Sequence, residues 1–179
     1  MRLLEFGERI CVLGPSNSGK STLATAIGRK LGLPVVHLDQ LYHLPRTDWV
    51  PRPREDFVAL HDEAIAGDRW IMDGNYSVCM PQRFRRATGV IYLDVSTTLS
   101  LCRYLRRTLF QSNRIGGLEG SADSVKLEMI RHIAVTTRRN RQRNTDTFDE
   151  LSLPKIRLSS PAAIREHCKE WGLEGPWSS

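Results

Sequence analysis

The octapeptide GPSNSGKS at residues 14–21 has the form G-x-x-x-x-G-K-[ST] and directly follows the apolar run ICVL at residues 10–13. Glycines at both ends of such a segment allow a turn in which successive backbone N–H groups point inward at an anion. A helix that begins near Gly19 would direct the positive end of its dipole at the same anion. The pattern therefore predicts a phosphate-binding loop between a strand and a helix, and an ordinary glycine-rich turn is the weaker alternative.

The same pattern assigns roles to individual side chains. Lys20 would reach the β and γ phosphates of a nucleoside triphosphate, and the Ser21 hydroxyl would bind Mg²⁺. The predicted ligands are therefore ATP and Mg²⁺, and the chain lacks the N-K-x-D sequence that a GTP switch would need. The predicted nucleotide-binding residues are Gly14, Pro15, Ser16, Asn17, Ser18, Gly19, Lys20, Ser21 and Thr22.

The composition indicates one globular domain that spans residues 1–179. Apolar residues make up 40% and charged residues 26% of the chain, which is ordinary for a soluble protein. No apolar stretch approaches the ~18 residues that cross a bilayer, and the acidic residues within Met1–Arg9 argue against a signal peptide. The four cysteines are too widely spaced to predict a metal site or a disulfide framework. We therefore expect a cytoplasmic protein without a membrane partner, either a monomer or a homodimer.

The basic residues are mostly arginine: of 26, five are lysines and 21 are arginines, and the net charge is +6. Nine arginines fall in two clusters, which could clamp nucleotide phosphates, bind nucleic acid or simply form a solvated face. The predicted phosphate loop favours the clamp, and nucleic acid is the weakest of the three alternatives. The first cluster is Arg103, Arg106, Arg107 and Arg114, and the second is Arg131, Arg138, Arg139, Arg141 and Arg143.

Strand and helix patterns alternate along the chain. Strands separated by helices favour a parallel sheet with helices on both faces, and such sheets bind ligands beyond the carboxyl ends of their strands. The predicted strands are residues 9–13, 35–38, 70–72, 90–93 and 155–158. The predicted helices are residues 20–31, 55–66, 80–87, the segment from a cap at Thr97 or Thr98 to Phe110, residues 122–144 and a last helix that begins at Pro161.

Three aspartates, Asp39, Asp73 and Asp94, each follow a predicted strand directly. A phosphotransferase of this type needs one carboxylate beside the magnesium ion and another group that positions the acceptor. Asp73 is the candidate for the first role together with Ser21, because Gly74 beside it leaves room for a ligand. Asp39 is the candidate for the second role, whereas Asp94 could instead brace the turn into the next helix.

Two segments are predicted to complete the site. Residues 40–68 form a short, proline-rich acceptor insertion, in which Tyr42 and Trp49 either stack on a substrate or pack internally. Residues 108–143 form a short lid, and three glycines within residues 111–121 would act as its hinge. The five histidines show no metal-ligand spacing and are interpreted as structural or surface residues.

Four segments together resemble the nucleoside monophosphate kinase superfamily, of which adenylate kinase is the best-known member. They are the octapeptide at 14–21, LDQL at 38–41, WIMDGNY at 70–76, and YLD at 92–94 followed by Arg103 and Arg107. More closely, the chain resembles the small adenylate-kinase-like proteins called DNA topology modulation proteins. The resemblance covers almost the whole chain and implies the α/β, three-layer P-loop kinase fold with a five-stranded parallel sheet.

The resemblance also implies site residues. Asp73 would be the magnesium-associated carboxylate, Arg103 would lie against the donor adenine, and Arg107 would contact phosphate. Arg138 and Arg141 would close over the transferred phosphoryl group, and Ser159–Pro161 would take the place of the adenine-contacting loop.

The expected function is ATP-dependent transfer of the γ-phosphoryl group to a small acceptor such as a nucleotide or nucleoside. Lys20, Asp39, Arg138 and Arg141 would be the catalytic residues. The insertion lacks the family's Thr-Gly-Asp sequence, so the acceptor itself is not predicted. The alternative is a nucleotide-dependent regulatory or nucleic-acid-associated protein without a small-molecule acceptor.

Overall fold

The structure is a computed structural model that describes residues 1–110, 130, 135 and 138–176, apart from the side chains of residues 107, 110, 138 and 139. A 3₁₀ helix at Leu3–Phe6 precedes the first strand. The strands are β1 Arg9–Leu13, β2 Val35–His37, β3 Trp70–Asp73, β4 Gly89–Leu93 and β5 Lys155–Leu158. The helices are α1 Lys20–Leu31, α2 Leu38–Tyr42, α3 Arg54–Ala66, α4 Met80–Arg86, α5 Thr97–Phe110, α6 Arg138–Glu150 and α7 Pro161–Glu170.

The strands form one parallel sheet in the order β2-β3-β1-β4-β5. Successive residues of the central strand β1 face opposite sides of this sheet. Ile10 and Val12 pack in one hydrophobic cluster with α1 and α7, whereas Cys11 and Leu13 pack in the other with α3 and α4. The predicted three-layer architecture with five parallel strands is therefore confirmed. No helix in the described part of the chain is both long and apolar enough to cross a membrane.

Two predicted boundaries are corrected, the end of β2 and the start of α5. Strand β2 ends at His37 instead of residue 38, because β3, its neighbour in the sheet, ends at Asp73, the residue paired with His37. The chain then forms the short helix α2, so that Asp39 lies in a helical turn. The cap of α5 is Ser96, whose Oγ accepts a hydrogen bond of 3.2 Å from the backbone N–H of Leu99. The predicted cap at Thr97 or Thr98 is wrong because the helix already begins at Thr97.

Helix α6 extends further along the chain than predicted. It ends at Glu150, whereas the sequence pattern indicates an end at residue 144. Phe148 in the added turns is buried, and its ring centroid lies 5.4 Å from that of Tyr92 on β4. This packing stabilises turns that the polar local sequence alone does not favour. Most of residues 122–137, where the helix is predicted to begin, lie outside the described residues.

We expect Gly89→Ala to destabilise the fold. A Cβ atom at Gly89 would lie 2.6 Å from the carbonyl oxygen and 2.8 Å from the Cα of Phe6, and backbone atoms cannot move aside as a flexible side chain can. Overpacking of this kind costs about 1–3 kcal/mol in the free energy of unfolding, which urea denaturation would measure.

Gly67→Ala is the matched control, because a Cβ atom there would meet nothing within 4 Å. Its free energy of unfolding should stay within about 0.5 kcal/mol of the wild-type value. Equal stability of the two variants would contradict the close approach of the 3₁₀ helix to β4.

Candidate active site

The phosphate loop, residues 14–19, turns tightly between β1 and α1. Gly14 and Gly19 have φ values of 146° and 100°, which glycine adopts without strain. A Cβ atom on Gly14 would lie 2.5 Å from the carbonyl oxygen of Leu93, so β4 closes one side of the turn. The backbone N–H of Ser18 donates to the carbonyl of Pro15 at 3.2 Å. The loop is therefore a tight turn between a strand and a helix, as its sequence predicts, and Ser21 and Thr22 lie in the first turn of α1.

Asn75 holds the start of this loop with both ends of its side-chain amide. Its Oδ1 accepts a hydrogen bond of 3.1 Å from the N–H of Gly14, and its Nδ2 donates one of 3.0 Å to the carbonyl of the same residue. The backbone carbonyl of Asn75 in turn accepts a bond of 2.8 Å from Arg83, whose side chain is fully buried. Sequence analysis assigned Asn75 no such role, although it lies in the WIMDGNY segment.

Two cationic side chains lie along the loop. Lys20 Nζ donates to the carbonyl of Pro15 at 2.9 Å, and Arg103 Nη1 donates from α5 to the carbonyl of Ser18 at 2.7 Å. Burial, with a smaller contribution from the charge of Arg165, lowers the pKa of Arg103. The side chain of Arg107 lies outside the described residues. The structure thus brings Lys20 and Arg103 to the loop, where the negative charge of a ligand would favour the charged form of both side chains.

Asp73, at the end of β3, lies directly beside the loop. Its Oδ2 accepts a hydrogen bond of 2.6 Å from the Ser21 hydroxyl, so the two predicted metal ligands are in contact. Its Oδ1 lies 2.6 Å from Nδ1 of His37. Burial raises the pKa of Asp73, but the hydrogen bonds from His37 and Ser21 and the charge of Lys20 together hold it below the usual value. The carboxylate is therefore ionised at neutral pH, although only 5% of the residue is exposed.

His37 is a site residue that sequence analysis did not find. Its contact with Asp73 follows from the register of β2 against β3, which places the two residues side by side. They are 36 positions apart in the chain. A spacing pattern within one segment therefore carries no signal for this contact.

Asp39 lies at the edge of an aromatic cluster. Its Oδ1 accepts a hydrogen bond of 2.7 Å from the hydroxyl of Tyr76. Burial, followed by the negative charge of Asp39, raises the pKa of Tyr76, so its hydroxyl remains a donor. The ring of Tyr42 lies 4.8 Å from that of Tyr76 and 5.1 Å from that of Phe57, measured between centroids.

A cleft of about 460 Å³ opens beside this cluster. Tyr42 lines the cleft, so it is available to a ligand, whereas Trp49 does not line it and packs against the ring of His43 at 5.1 Å. The lining residues within the described part of the chain are Tyr42, Arg52, Arg54, Phe57, Ser77 and Val78.

Asp94 and Arg141 form an ion pair at the end of β4. Arg141 Nε donates to Asp94 Oδ1 at 2.8 Å, and this bond raises the pKa of Arg141. Asp94 is nearly buried, and its contact ties α6 to the sheet, whereas the predicted brace concerned the turn into α5. The side chain of Arg138, on the same helix, lies outside the described residues.

A magnesium ion would fit the contact between Ser21 and Asp73. Among the described residues, no three histidine, cysteine or acidic side chains cluster in a way that could hold a metal ion alone. Magnesium in proteins is commonly bound through one or two carboxylates together with substrate phosphates and water. One ionised carboxylate beside a hydroxyl at the phosphate loop is the donor set that such a site requires.

No protein-family model matches the chain, and no curated protein matches it significantly. Solved structures do match. A gluconokinase from Sinorhizobium meliloti 1021 is 17% identical, with a TM-score of 0.53 over 94% of this chain and 93% of that chain. A shikimate kinase from Acinetobacter baumannii, in complex with shikimate, is 16% identical, with a TM-score of 0.58 over 93% and 92%. Such low identity establishes the fold alone, and by this measure the chain has the P-loop kinase fold that its sequence predicts.

Proposed function

We propose that the protein is an ATP- and Mg²⁺-dependent phosphotransferase that acts on a small-molecule acceptor. The observation that carries this proposal is the contact between Ser21 and the ionised Asp73 beside the lysine of the phosphate loop. A second carboxylate, Asp39, lies at the edge of the aromatic cluster that borders a cleft where an acceptor could bind. The kinase fold supports the proposal, since similar structures are a gluconokinase and a shikimate kinase.

The loop would hold the phosphates of ATP through its backbone N–H groups. Lys20 would neutralise charge on the β and γ phosphates, and Arg103 would lie beside the rest of the nucleotide. Bound Mg²⁺, held by Ser21 and Asp73, would neutralise further negative charge on the phosphates. Catalysis of phosphoryl transfer depends mainly on such positioning and charge neutralisation.

Asp39 would orient the acceptor hydroxyl and take its proton. The hydroxyl oxygen forms a bond to the γ-phosphorus while the bond from that phosphorus to the β–γ bridging oxygen breaks, and ADP leaves. Tyr76 supports this role because its hydroxyl holds the Asp39 carboxylate in one orientation. A carboxylate within hydrogen-bond reach of the reacting hydroxyl is the geometry that proton transfer requires.

Arg141 and Arg138 would contribute charge from α6. Arg141 is half-exposed and is held only by its ion pair with Asp94 among the described contacts, so a bound γ-phosphoryl group would compete for its guanidinium. The predicted roles of Arg107 and Arg138 and the lid at 108–143 depend on residues mostly outside the described part of the chain. The closer resemblance to DNA topology modulation proteins remains a prediction that rests on sequence segments alone.

A screen for ATP consumption tests the proposal. ADP release would be followed with Mg²⁺ and panels of nucleoside monophosphates, nucleosides and hydroxylated metabolites. We expect low ADP release with ATP alone and a Mg²⁺-dependent increase with one class of acceptor. Failure of ATP·Mg²⁺ to bind in calorimetry, together with no stimulated ADP release, would overturn it.

A further inference from the structure

Among the described residues that line the proposed acceptor cleft, two are arginines and none is acidic. Arg52 and Arg54 line it together with three apolar or aromatic residues and Ser77. Neither arginine forms an ion pair with any residue in the described ranges 1–110 and 138–176. Two guanidinium groups without an ion-pair partner among those residues favour a positive potential in the cleft, which would attract an anion.

Arg52 is held in place. It is half-buried, its Nε donates to the carbonyl of Leu41 at 3.0 Å, and its backbone N–H donates to the carbonyl of Tyr42 at 2.7 Å. The first bond holds the side chain at Nε, beyond which the terminal nitrogens extend, and the second holds the backbone of the same residue. A guanidinium with a fixed orientation suits the bidentate binding of a carboxylate or phosphate group.

Tyr42, which lines the cleft, also links it to Asp39, the carboxylate that would receive the acceptor hydroxyl. Asp39 and Tyr42 are three residues apart on α2, so their side chains lie on the same face of the helix, about one turn apart. Tyr76, which donates to Asp39, packs against Tyr42. The two tyrosines therefore connect the arginine-lined cleft with the Asp39 carboxylate.

We propose that the acceptor is a small hydroxylated anion whose carboxylate or phosphate group binds Arg52 and Arg54 while its hydroxyl meets Asp39. This inference rests on the proposed function and narrows its substrate class. Neutral sugars and nucleosides leave both guanidinium groups without a partner, so they are poor acceptors.

The test compares three groups of compounds in the assay of ADP release. Gluconate and shikimate form the carboxylate arm, AMP and glucose 6-phosphate the phosphate arm, and glucose and adenosine the neutral arm. We expect stimulation by one of the two anionic arms, which identifies the anion, and none by the neutral arm. Stimulation by neutral compounds alone would overturn the inference and leave the proposed function intact.

The variant Arg52→Gln tests whether stimulation of ADP release by an anion depends on the cleft. It should raise the KM of the stimulating anion about 10- to 100-fold, the effect of losing a hydrogen bond between charged groups, with the KM of ATP unchanged. Arg52→Lys should recover part of the loss. Arg46→Gln is the matched control, since Arg46 is an exposed arginine of the same insertion that does not line the cleft. An unchanged KM in Arg52→Gln would overturn the inference.

Calorimetry with the same anions, without ATP, keeps the inference testable if none of the compounds is phosphorylated. Binding that is weaker in Arg52→Gln than in Arg46→Gln supports the cleft as an anion site. Equal binding by the two variants, or no binding of any anion, overturns it. A different result would overturn the proposed function, namely that the wild-type protein does not bind ATP.

Discussion

Lys20→Ala should lower kcat about 10³-fold, the loss that follows when one preorganised charge on the transferring group is removed. The ammonium group of Lys20 is positioned at the loop by its 2.9 Å hydrogen bond to the carbonyl of Pro15. Alanine at the first position of α1 would keep the helix and remove this charge. ADP release at saturating acceptor measures kcat, and circular dichroism checks that the fold persists.

Lys30→Ala is the control for this variant. It removes the same kind of charge from the exposed last turn of the same helix, far from the loop. Its kcat should equal that of the wild-type protein. Full activity in Lys20→Ala would remove the proposed mechanism, because the mechanism assigns contact with the β and γ phosphates to this ammonium group.

Asp73→Asn should lower kcat about 10²- to 10³-fold and raise the Mg²⁺ concentration needed for half-maximal activity. The substitution keeps the shape of the side chain but removes the negative charge that the cation needs, and loss of several kcal/mol of charge stabilisation corresponds to this factor. The wild-type carboxylate is ionised at neutral pH because its hydrogen bonds from His37 and Ser21 hold its pKa low. A magnesium titration of ADP release measures both effects.

Asp68→Asn is the matched control, because it removes one carboxylate charge away from the proposed cation site. Asp68 precedes the opposite end of β3, where its side chain is 91% exposed and pairs with Arg9 and Arg86 at 3.9 and 3.8 Å. Exposed pairs of this kind contribute little, so activity and magnesium dependence should not change. A normal magnesium titration in Asp73→Asn would exclude Asp73 from the cation site and leave Lys20 in place.

Local sequence was sufficient for most of the fold. The bounds of β1, α1 and β5 agree with the predicted ones, because each depends on neighbouring residues: apolar runs, helical spacing and a terminal glycine at residue 32. The glycines of the phosphate loop likewise adopt the backbone angles for which glycine is suited. Alternation of strands and helices then leaves a parallel layered sheet as the simplest arrangement.

Contacts between distant segments could not be predicted from local sequence. The bonds of His37 to Asp73 and of Asn75 to Gly14 join residues 36 and 61 positions apart, and both depend on the neighbours that β3 has in the sheet. Similarly, Arg52 and Arg54 lie beside Tyr42 and Phe57 in one cleft only because the insertion folds as it does. The sequence gives the chemical groups and their order along the chain. Which distant groups come into contact depends on how the chain folds. The phosphate loop could therefore be predicted from eight consecutive residues. The cleft proposed for the acceptor depends on the packing of α2, α3 and the segment after β3.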